Sequence, residues 1–500
     1  MYQTACPACG APVSFRSAAS VMAVCSYCQS TLIRDADSVR DIGKMSAVLE
    51  DWSRIQIGTS GIFLGVNFTI VGRLQLVYEN GFWNEWHAVL DDGSSAWLSD
   101  AGGQYVITAA AKTQPQLPPF ERLTPGGSLQ FEGTPYIAAD VRTARCTGGQ
   151  GELPFKAGPG WEARVADFRS GNLFLTLDYS DTTPVAYVGK SVTLESLKCQ
   201  MLRTADQIAQ SAGKLPGSVA NLECPSCGAS IAYRAGLAQH LICQVCHAEV
   251  SPDPQAQGGT DRFSVLAKHE ELEARQTTLS LGDKAQIQNV TWTLIGVLER
   301  SEVGEDDSTW IEYLLHNPDK GLKWLVETSE GWDLVEVLDE WPGTTAGDGV
   351  KLRGLQYRKT FTYDAEVTWA AGAFNWRVHV GDRVTITDYK AGDQSLSAER
   401  DTQELTWSLA KRVQTQAVLR WFGKQADAAP RQALSNRQAS REVDTRTWCR
   451  NAAVYATLGL GAVNAPALFM DNTNLIWPIL GIVALWYPLF KFSDQLEDDD

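Results

Sequence analysis

The sequence predicts a mainly β protein built by internal duplication: two four-cysteine zinc ribbons, each followed by a small antiparallel β module, and a C-terminal α-helical transmembrane hairpin. Three observations carry that expectation. Eight of the 11 cysteines fall in Cys-x-x-Cys pairs at one repeated spacing, short aromatic and aliphatic blocks recur at offsets of 224 and 227 residues, and two uncharged apolar runs close the chain. At about 150 residues per domain, 500 residues make roughly three or four folded units, long enough to bury a core without disulfides.

The first ribbon is expected over residues 1–35 and the second over 219–252. Cys6 and Cys9 are followed, after fifteen intervening residues, by Cys25 and Cys28; Cys224 and Cys227 are followed, again after fifteen, by Cys243 and Cys246. Each first pair reads Cys-Pro-x-Cys-Gly, and the glycine permits the left-handed turn that closes a metal knuckle. Two knuckles make one tetrahedral four-thiolate site, so two structural Zn2+ ions are expected; a rubredoxin-like iron centre is the alternative, since four thiolates also suit iron. A site closed by four sulfurs has no position for water or substrate, and His247, next to Cys246, is expected to be a solvated neighbour. Between the knuckles, Val13-Ser14-Phe15 and Ile231-Ala232-Tyr233 read as short strands. No basic n-region precedes Cys6, so no signal peptide is expected, and a reducing compartment suits the thiols.

Amphipathic helices are expected near 43–53 and 263–275. The β modules follow, at 55–205 and 278–420. Phe68-Thr69-Ile70-Val71-Gly72-Arg73-Leu74 aligns with Trp292-Thr293-Leu294-Ile295-Gly296-Val297-Leu298, Trp83-Asn84-Glu85-Trp86 with Trp310-Ile311-Glu312-Tyr313, and Val165-Ala166-Asp167-Phe168 with Ile386-Thr387-Asp388-Tyr389. Gly151-Glu152-Leu153-Pro154-Phe155 is set against Ala370-Ala371-Gly372-Ala373-Phe374. The blocks are two-periodic and separated by turns such as Glu79-Asn80-Gly81, which is hairpin chemistry. Gly72 and Gly296, both inside strand patterns, predict a bulge or tight bend of the kind found in small curled sheets or barrels. Strand alternation alone accounts for Glu85 and Glu312 as polar residues of a solvated face.

Residues 421–450 form a basic juxtamembrane linker; counted from Arg420, positions 420–450 carry seven Arg or Lys against three acids, a balance of 7 − 3 = +4. The apolar runs 452–470 and 475–490 would reach roughly 28 and 24 Å as helices, enough with their flanks for a transmembrane hairpin at 451–491 across a core of about 30 Å. Positive flanks place both ends on the cytoplasmic side of an inner or cytoplasmic membrane, and 492–500 is an acidic tail.

These residues resemble a known bacterial family, the domain-of-unknown-function family 4178: a four-cysteine ribbon, the Ile70-Val71-Gly72-Arg73 strand, the Trp83-Asn84-Glu85-Trp86 block and the Gly151-Glu152-Leu153-Pro154-Phe155 stretch. The similarity covers both halves, so the chain reads as a tandem version whose second half departs at Ala370-Ala371-Gly372-Ala373-Phe374. What the resemblance implies is no established activity and gene neighbourhoods rich in membrane-stress proteins of the phage-shock type.

Function is bounded from the other side by charge. A formal net charge of −16 and a pI near 4.9 have the wrong sign for gripping phosphates, and the ribbons balance to +1 and −1, so no nucleic acid is expected as a partner. No Walker loop, nucleophile elbow, HExxH or Rossmann glycine run is present. Cys146, Cys199 and His87 have no counterpart in the other half. The expected function is therefore a membrane-anchored scaffold or adaptor that binds protein partners through aromatic positions such as Trp83 and Trp86, with no catalytic residues; the alternative is an enzyme of lipid or polyamine chemistry with a site between the repeats.

Overall fold

The computed structural model describes residues 2–424 except 16–19, 29, 36–37, 45–52, 157–160, 212–221, 225, 228, 232–239, 244, 247, 253–262, 268–276, 305–307 and 346. The expected hairpin at 451–491, its basic linker from 425 onward and its acidic tail lie outside the described residues, as does His247; residues 421–424 are described, and Trp421 ends a short helix, Thr415–Trp421. Among the described residues no helix is long and apolar enough to cross a membrane.

Each β module is a closed antiparallel barrel of eight strands, numbered here in chain order. The first comprises β1 (Val66–Tyr78), β2 (Gly81–Leu90), β3 (Ser95–Ala101), β4 (Gln104–Ala110), β5 (Thr134–Leu153), β6 (Glu162–Ser170), β7 (Leu173–Asp178) and β8 (Val185–Val192). Strands β1 to β4 and β5 to β8 form two meanders, and the ring closes where β4 pairs with β8 and β5 with β1. The second barrel repeats this order with β9 (Val290–Glu302), β10 (Thr309–Asn317), β11 (Gly321–Thr328), β12 (Gly331–Val337), β13 (Leu355–Phe374), β14 (Arg383–Ala391), β15 (Gln394–Arg400) and β16 (Leu405–Val413). Its closures are β12 with β16 and β13 with β9.

Closure depends on the predicted glycines. The β1–β2 register slips between Ile70 and Gly72, and the β9–β10 register slips between Leu294 and Gly296. Gly72 faces Gly151, and a Cβ on Gly72 would stand 1.9 Å from the Glu152 carbonyl oxygen; Gly296 faces Gly372, which sits at φ +100°. Only backbone fits where the two closing strands approach this tightly, so a residue with a side chain at either position would push them apart.

The twenty-residue strands β5 and β13 are the spines of their modules. The end of β5 leaves the barrel and pairs with the ribbon strand Met22–Val24, Gly151 to Val24 and Leu153 to Met22; the end of β13 pairs with the second ribbon strand His240–Ile242, Gly372 to Ile242 and Phe374 to His240. Each ribbon therefore continues the sheet of its barrel. This pairing also corrects the alignment of the two halves. Gly151 corresponds to Gly372, an offset of 221, so Leu153 matches Phe374 and Phe155 matches Trp376. The apparent departure of the second half came from a register set two residues short.

Both helix expectations near the ribbons fail where the residues are described. Ser38–Lys44 and Phe263–Ala267 are strands, added to the free ribbon edges Ser30–Asp35 and Glu249–Pro252. An open sheet edge offers unpaired backbone donors and acceptors, and satisfying them outweighs a weak helical pattern.

Apolar cores cover the outer faces of the barrels, and a further apolar cluster, Leu74, Leu76, Ala144 and Cys146 against Trp83, Trp97 and Val165, fills part of the first barrel's interior. Phe68, Ile70, Trp86, Ala88, Leu98 and Ile107 are covered by Ile55, Phe63, Leu194 and Leu197, and the matching Trp292, Leu294, Tyr313, Leu315 and Leu325 by Leu279, Ile287 and Val418. Arg73 of the Ile-Val-Gly-Arg strand is fully buried there, donating twice to Asn84 Oδ1 and stacked on Trp86 at 4.7 Å. The two barrels pack unequally. Val141 of β5 donates to the Gln403 carbonyl and Trp341 to that of Gly171, whereas Phe361, in the segment of β13 that matches Val141, is 71% exposed.

Candidate functional site

The eight predicted cysteines come together in two clusters, Cys6, Cys9, Cys25 and Cys28, and Cys224, Cys227, Cys243 and Cys246. Each first knuckle is tied by its backbone, with Cys6 N–H donating to Ala11 O and Cys224 N–H to Ala229 O, both at 2.8 Å; Gly10 supplies the left-handed turn at φ +76°. Sulfur separations are 3.6 Å for Cys6 to Cys28, 3.8 Å for Cys9 to Cys25, 3.7 Å for Cys224 to Cys246 and 3.8 Å for Cys227 to Cys243. Four thiolates about 2.3 Å from a tetrahedral ion stand about 3.8 Å apart, while a disulfide would bring two sulfurs to about 2.05 Å. The donor set therefore fits a metal ion. Hydrogen bonding at Ser30, through its side chain and then its backbone, brings the Cys28 thiol down to about 6, which favours the ligating thiolate.

The interior faces of the barrels hold a second constellation, one that sequence reading places in solvent. Glu85 on β2 is surrounded by protein, yet it and its neighbours across the ring, Asp167 on β6 and Asp178 on β7, retain some accessible surface. They line a polar lumen. Trp83 Nε1 and Ser99 Oγ donate to Glu85 at 2.8 Å, and Thr176 Oγ1 donates to Asp167 at 2.7 Å. Burial pushes the Glu85 carboxyl up to about 7, with the charges of Asp167 and Asp178 adding to the rise, and burial likewise raises both aspartates.

The second barrel repeats the set at the corresponding positions as Glu312, Asp388 and Glu399. Trp310 Nε1 donates to Glu312 at 2.8 Å and Ser397 Oγ to Asp388 at 2.6 Å, the same two hydrogen bonds. Here the acids have a cation among them. Arg300 on β9 lies 3.6 Å from Glu312 and reaches across the ring to Glu399 at 2.8 Å. The position matching Arg300 is Leu76, since Leu76 stands opposite Trp83 as Arg300 stands opposite Trp310. The first barrel's inward arginines are Arg142 on β5, paired with Asp140 and with Glu404 of the second barrel at 3.1 Å and stacked on Tyr78 at 4.0 Å, and Arg169 on β6, which donates to Ser191 Oγ at 2.6 Å and to the Asp339 carbonyl at 3.1 Å. Among the described residues no cation pairs with Glu85 or Asp178.

Nearer the ribbon, the first barrel is plugged by aromatic rings: His87 against Trp97 at 5.1 Å, Trp97 against Phe155 at 5.8 Å, and Phe155 against Trp161 at 5.3 Å. Trp324 against Trp376 at 5.5 Å is the second barrel's version of the Trp97 and Phe155 contact. His87 is fully buried, its Nδ1 bonded to the Glu152 carbonyl at 3.1 Å and its Nε2 without a partner, and burial lowers it to about 4. Burial raises the thiols of Cys146 and Cys199 to about 11, leaving both protonated and poorly nucleophilic at neutral pH.

Two sequence expectations thus need correction. Glu85 and Glu312 point into the barrels. Trp83 and Trp86 are no docking pair, because alternation turns Trp83 inward onto Glu85 and buries Trp86 under Arg73. The polar constellation is duplicated; each glutamate stands 76 to 93 residues along the chain from the other acids of its barrel, and only the Trp-x-Glu block and the matched Asp167 and Asp388 signal it in the sequence.

A search of curated proteins and a search of solved structures each found no match. The family described as a domain of unknown function, DUF4178, matches residues 56–194 and 280–415, more than half of the chain and one barrel in each match. The chain belongs to the DUF4178 family, as a tandem member carrying two of its domains.

Proposed function

We propose that this protein is a non-enzymatic adaptor at the cytoplasmic face of a membrane, held there by residues 451–491, with two structural zinc ions and partner proteins bound at the ribbon tips. The observation that carries this reading is the position shared by Tyr27 and Val245. Each lies in the second knuckle of its ribbon, between the two cysteines, and they are 73% and 65% exposed. A large apolar side chain kept in solvent at the same place in both copies is the mark of a contact surface, and two linked tips raise the effective concentration for a multivalent partner. Zinc is assigned because its tetrahedral preference for four thiolates needs no redox partner. A second reading, an enzyme, draws support from the inward carboxylates; the protonated thiols of Cys146 and Cys199 give it no nucleophile.

Affinity capture from native membranes tests the adaptor. The double variant Tyr27→Ser, Val245→Ser is expected to keep two zinc equivalents and to lose the captured partners. An unchanged set of captured proteins overturns the assignment of the tips, iron in place of zinc overturns the metal, and full-length protein released by alkaline carbonate overturns the anchor.

A further inference from the structure

The duplicated interior is an internal control for what the first barrel can hold. In the second barrel, Glu312 and Glu399 ligate a guanidinium, that of Arg300. In the first, Glu85 and Asp178 occupy the matching positions with the same tryptophan donor on the glutamate, while Leu76 stands in place of Arg300 and the shorter Asp178 in place of Glu399. Both exchanges shorten the side chains that fill the lumen, and both remaining acids keep accessible surface.

Acids alone would not define a ligand, but His87 adds a second signal. It lies two residues beyond Glu85 on the same inward face of β2. With Nδ1 facing a carbonyl oxygen that can only accept, the proton sits on Nδ1, and the buried Nε2 is an acceptor with no partner. Arg142 and Arg169, the guanidinium groups of this interior, are engaged with Asp140, Glu404, Ser191 and the Asp339 carbonyl, so around Glu85 the first barrel presents carboxylates and an imidazole lone pair, acceptors that call for a ligand rich in N–H donors. A single metal ion does not answer to this arrangement: among the described residues only the two cysteine clusters bring three ligating atoms within 4.8 Å of one another.

We propose that the lumen of the first barrel binds a small organic guanidinium compound, whose head group takes between Glu85 and Asp178 the place that the Arg300 side chain takes between Glu312 and Glu399. A planar guanidinium can stand between two separated carboxylates at once, as Arg300 does with a hydrogen bond to Glu399 and an ion pair to Glu312, and the Tyr187 and Trp83 rings lie on the same inward face. The site is independent of the ribbon tips and of membrane anchoring.

Titration calorimetry on purified full-length protein, with n-propylguanidinium as the probe, tests this. One site per chain is expected, with affinity at least tenfold above that for propan-1-ol or n-propylammonium. Glu85→Gln is expected to weaken binding at least tenfold, Leu76→Arg to abolish it by placing a guanidinium of the chain's own in the lumen, and Leu76→Met to retain it, with circular dichroism showing each variant folded. Should Leu76→Arg fail to fold, Glu85→Gln alone decides. No binding by the wild type, equal binding of propan-1-ol, tighter binding of n-propylammonium, or undiminished affinity in Glu85→Gln overturns the proposal.

Discussion

The two barrels share a frame and differ in how it is neutralised. Both hold an inward glutamate under a tryptophan N–H and an inward aspartate under a hydroxyl; only the second supplies the glutamate with a cation, Arg300, where the first has Leu76. The comparison separates two uses of one arrangement. In the second barrel the charges are internally paired and form part of the packed structure, whereas in the first they are left as acceptors in a lumen. Hydrogen bonds from neighbouring strands are short-range and survive duplication as long as the strands do, but a charge balance rests on one side chain and can be lost or moved by one substitution.

The largest expected effects concern what the two halves have in common. Cys9→Ala is expected to reduce zinc from two equivalents to one and to unfold the first ribbon, because ligand binding and ribbon folding are one process, worth about 10 kcal/mol or more for a structural zinc. Cys227→Ala should do the same to the second ribbon alone. Loss of both ions in either variant, by metal analysis, would mean that the halves are not independent.

Next in size is the test of the difference. Arg300→Leu strips Glu312 and Glu399 of their cation and is expected to cost about 3–5 kcal/mol in urea unfolding, while Leu76→Arg in the first barrel, which gives Glu85 a cation but takes a leucine out of an apolar cluster, costs less. Adding n-propylguanidinium should restore part of the loss in Arg300→Leu and raise its binding stoichiometry from one to two. Equal effects of the two substitutions would break the comparison.

The pH dependence is smaller and runs in a fixed direction. Burial raises Glu85 from the ordinary 4.5 to about 7. Below 4.5 the group is protonated folded and unfolded, and it takes nothing from stability. As pH rises from there through 7, the unfolded chain sheds the proton more readily, so stability falls. Glu85→Gln, which does not titrate, should therefore melt like the wild type near pH 4.5 and above it at pH 8, by on the order of 1–2 kcal/mol. Glu312→Gln is expected to destabilise at pH 8, since it removes a partner of Arg300. The smallest effect on stability is that of Tyr27→Ser or Val245→Ser, within about 0.5 kcal/mol in thermal melts, because each side chain is mostly in solvent.

Much of this architecture was legible locally. Knuckle chemistry is set by residues three apart, and hairpins by a turn and its flanks, so the cysteine clusters, the β class and the duplication could be read from residue types at short spacing. Gly72 and Gly296 carried even the bend that closes each ring. The expected helix starting at 263 failed because the edge it joins, Glu249–Pro252, is recognised only once the ribbon has folded. The register error at Gly151 had a similar origin: apolar and small residues match at several offsets, and only the facing pairs Gly72 with Gly151 and Gly296 with Gly372 select one.

What the sequence by itself determined is which residues share a face; what the tertiary structure decided is where that face looks. A period of two places Trp83, Glu85 and His87 on one side of β2 and Asn84, Trp86 and Ala88 on the other. In most half-buried strands the polar side meets solvent, and the pattern by itself predicts that for Glu85. Here the apolar side is covered from outside by segments near 55–63 and 194–197, and the polar side turns in when β5 closes on β1. That closure joins residues seventy or more positions apart, Leu76 to Cys146 and Gly72 to Gly151, and no local pattern encodes it. With the β4–β8 pairing it brings Glu85, Asp167 and Asp178 into one lumen, and so turns Leu76, which the hairpin sets opposite Trp83, toward them.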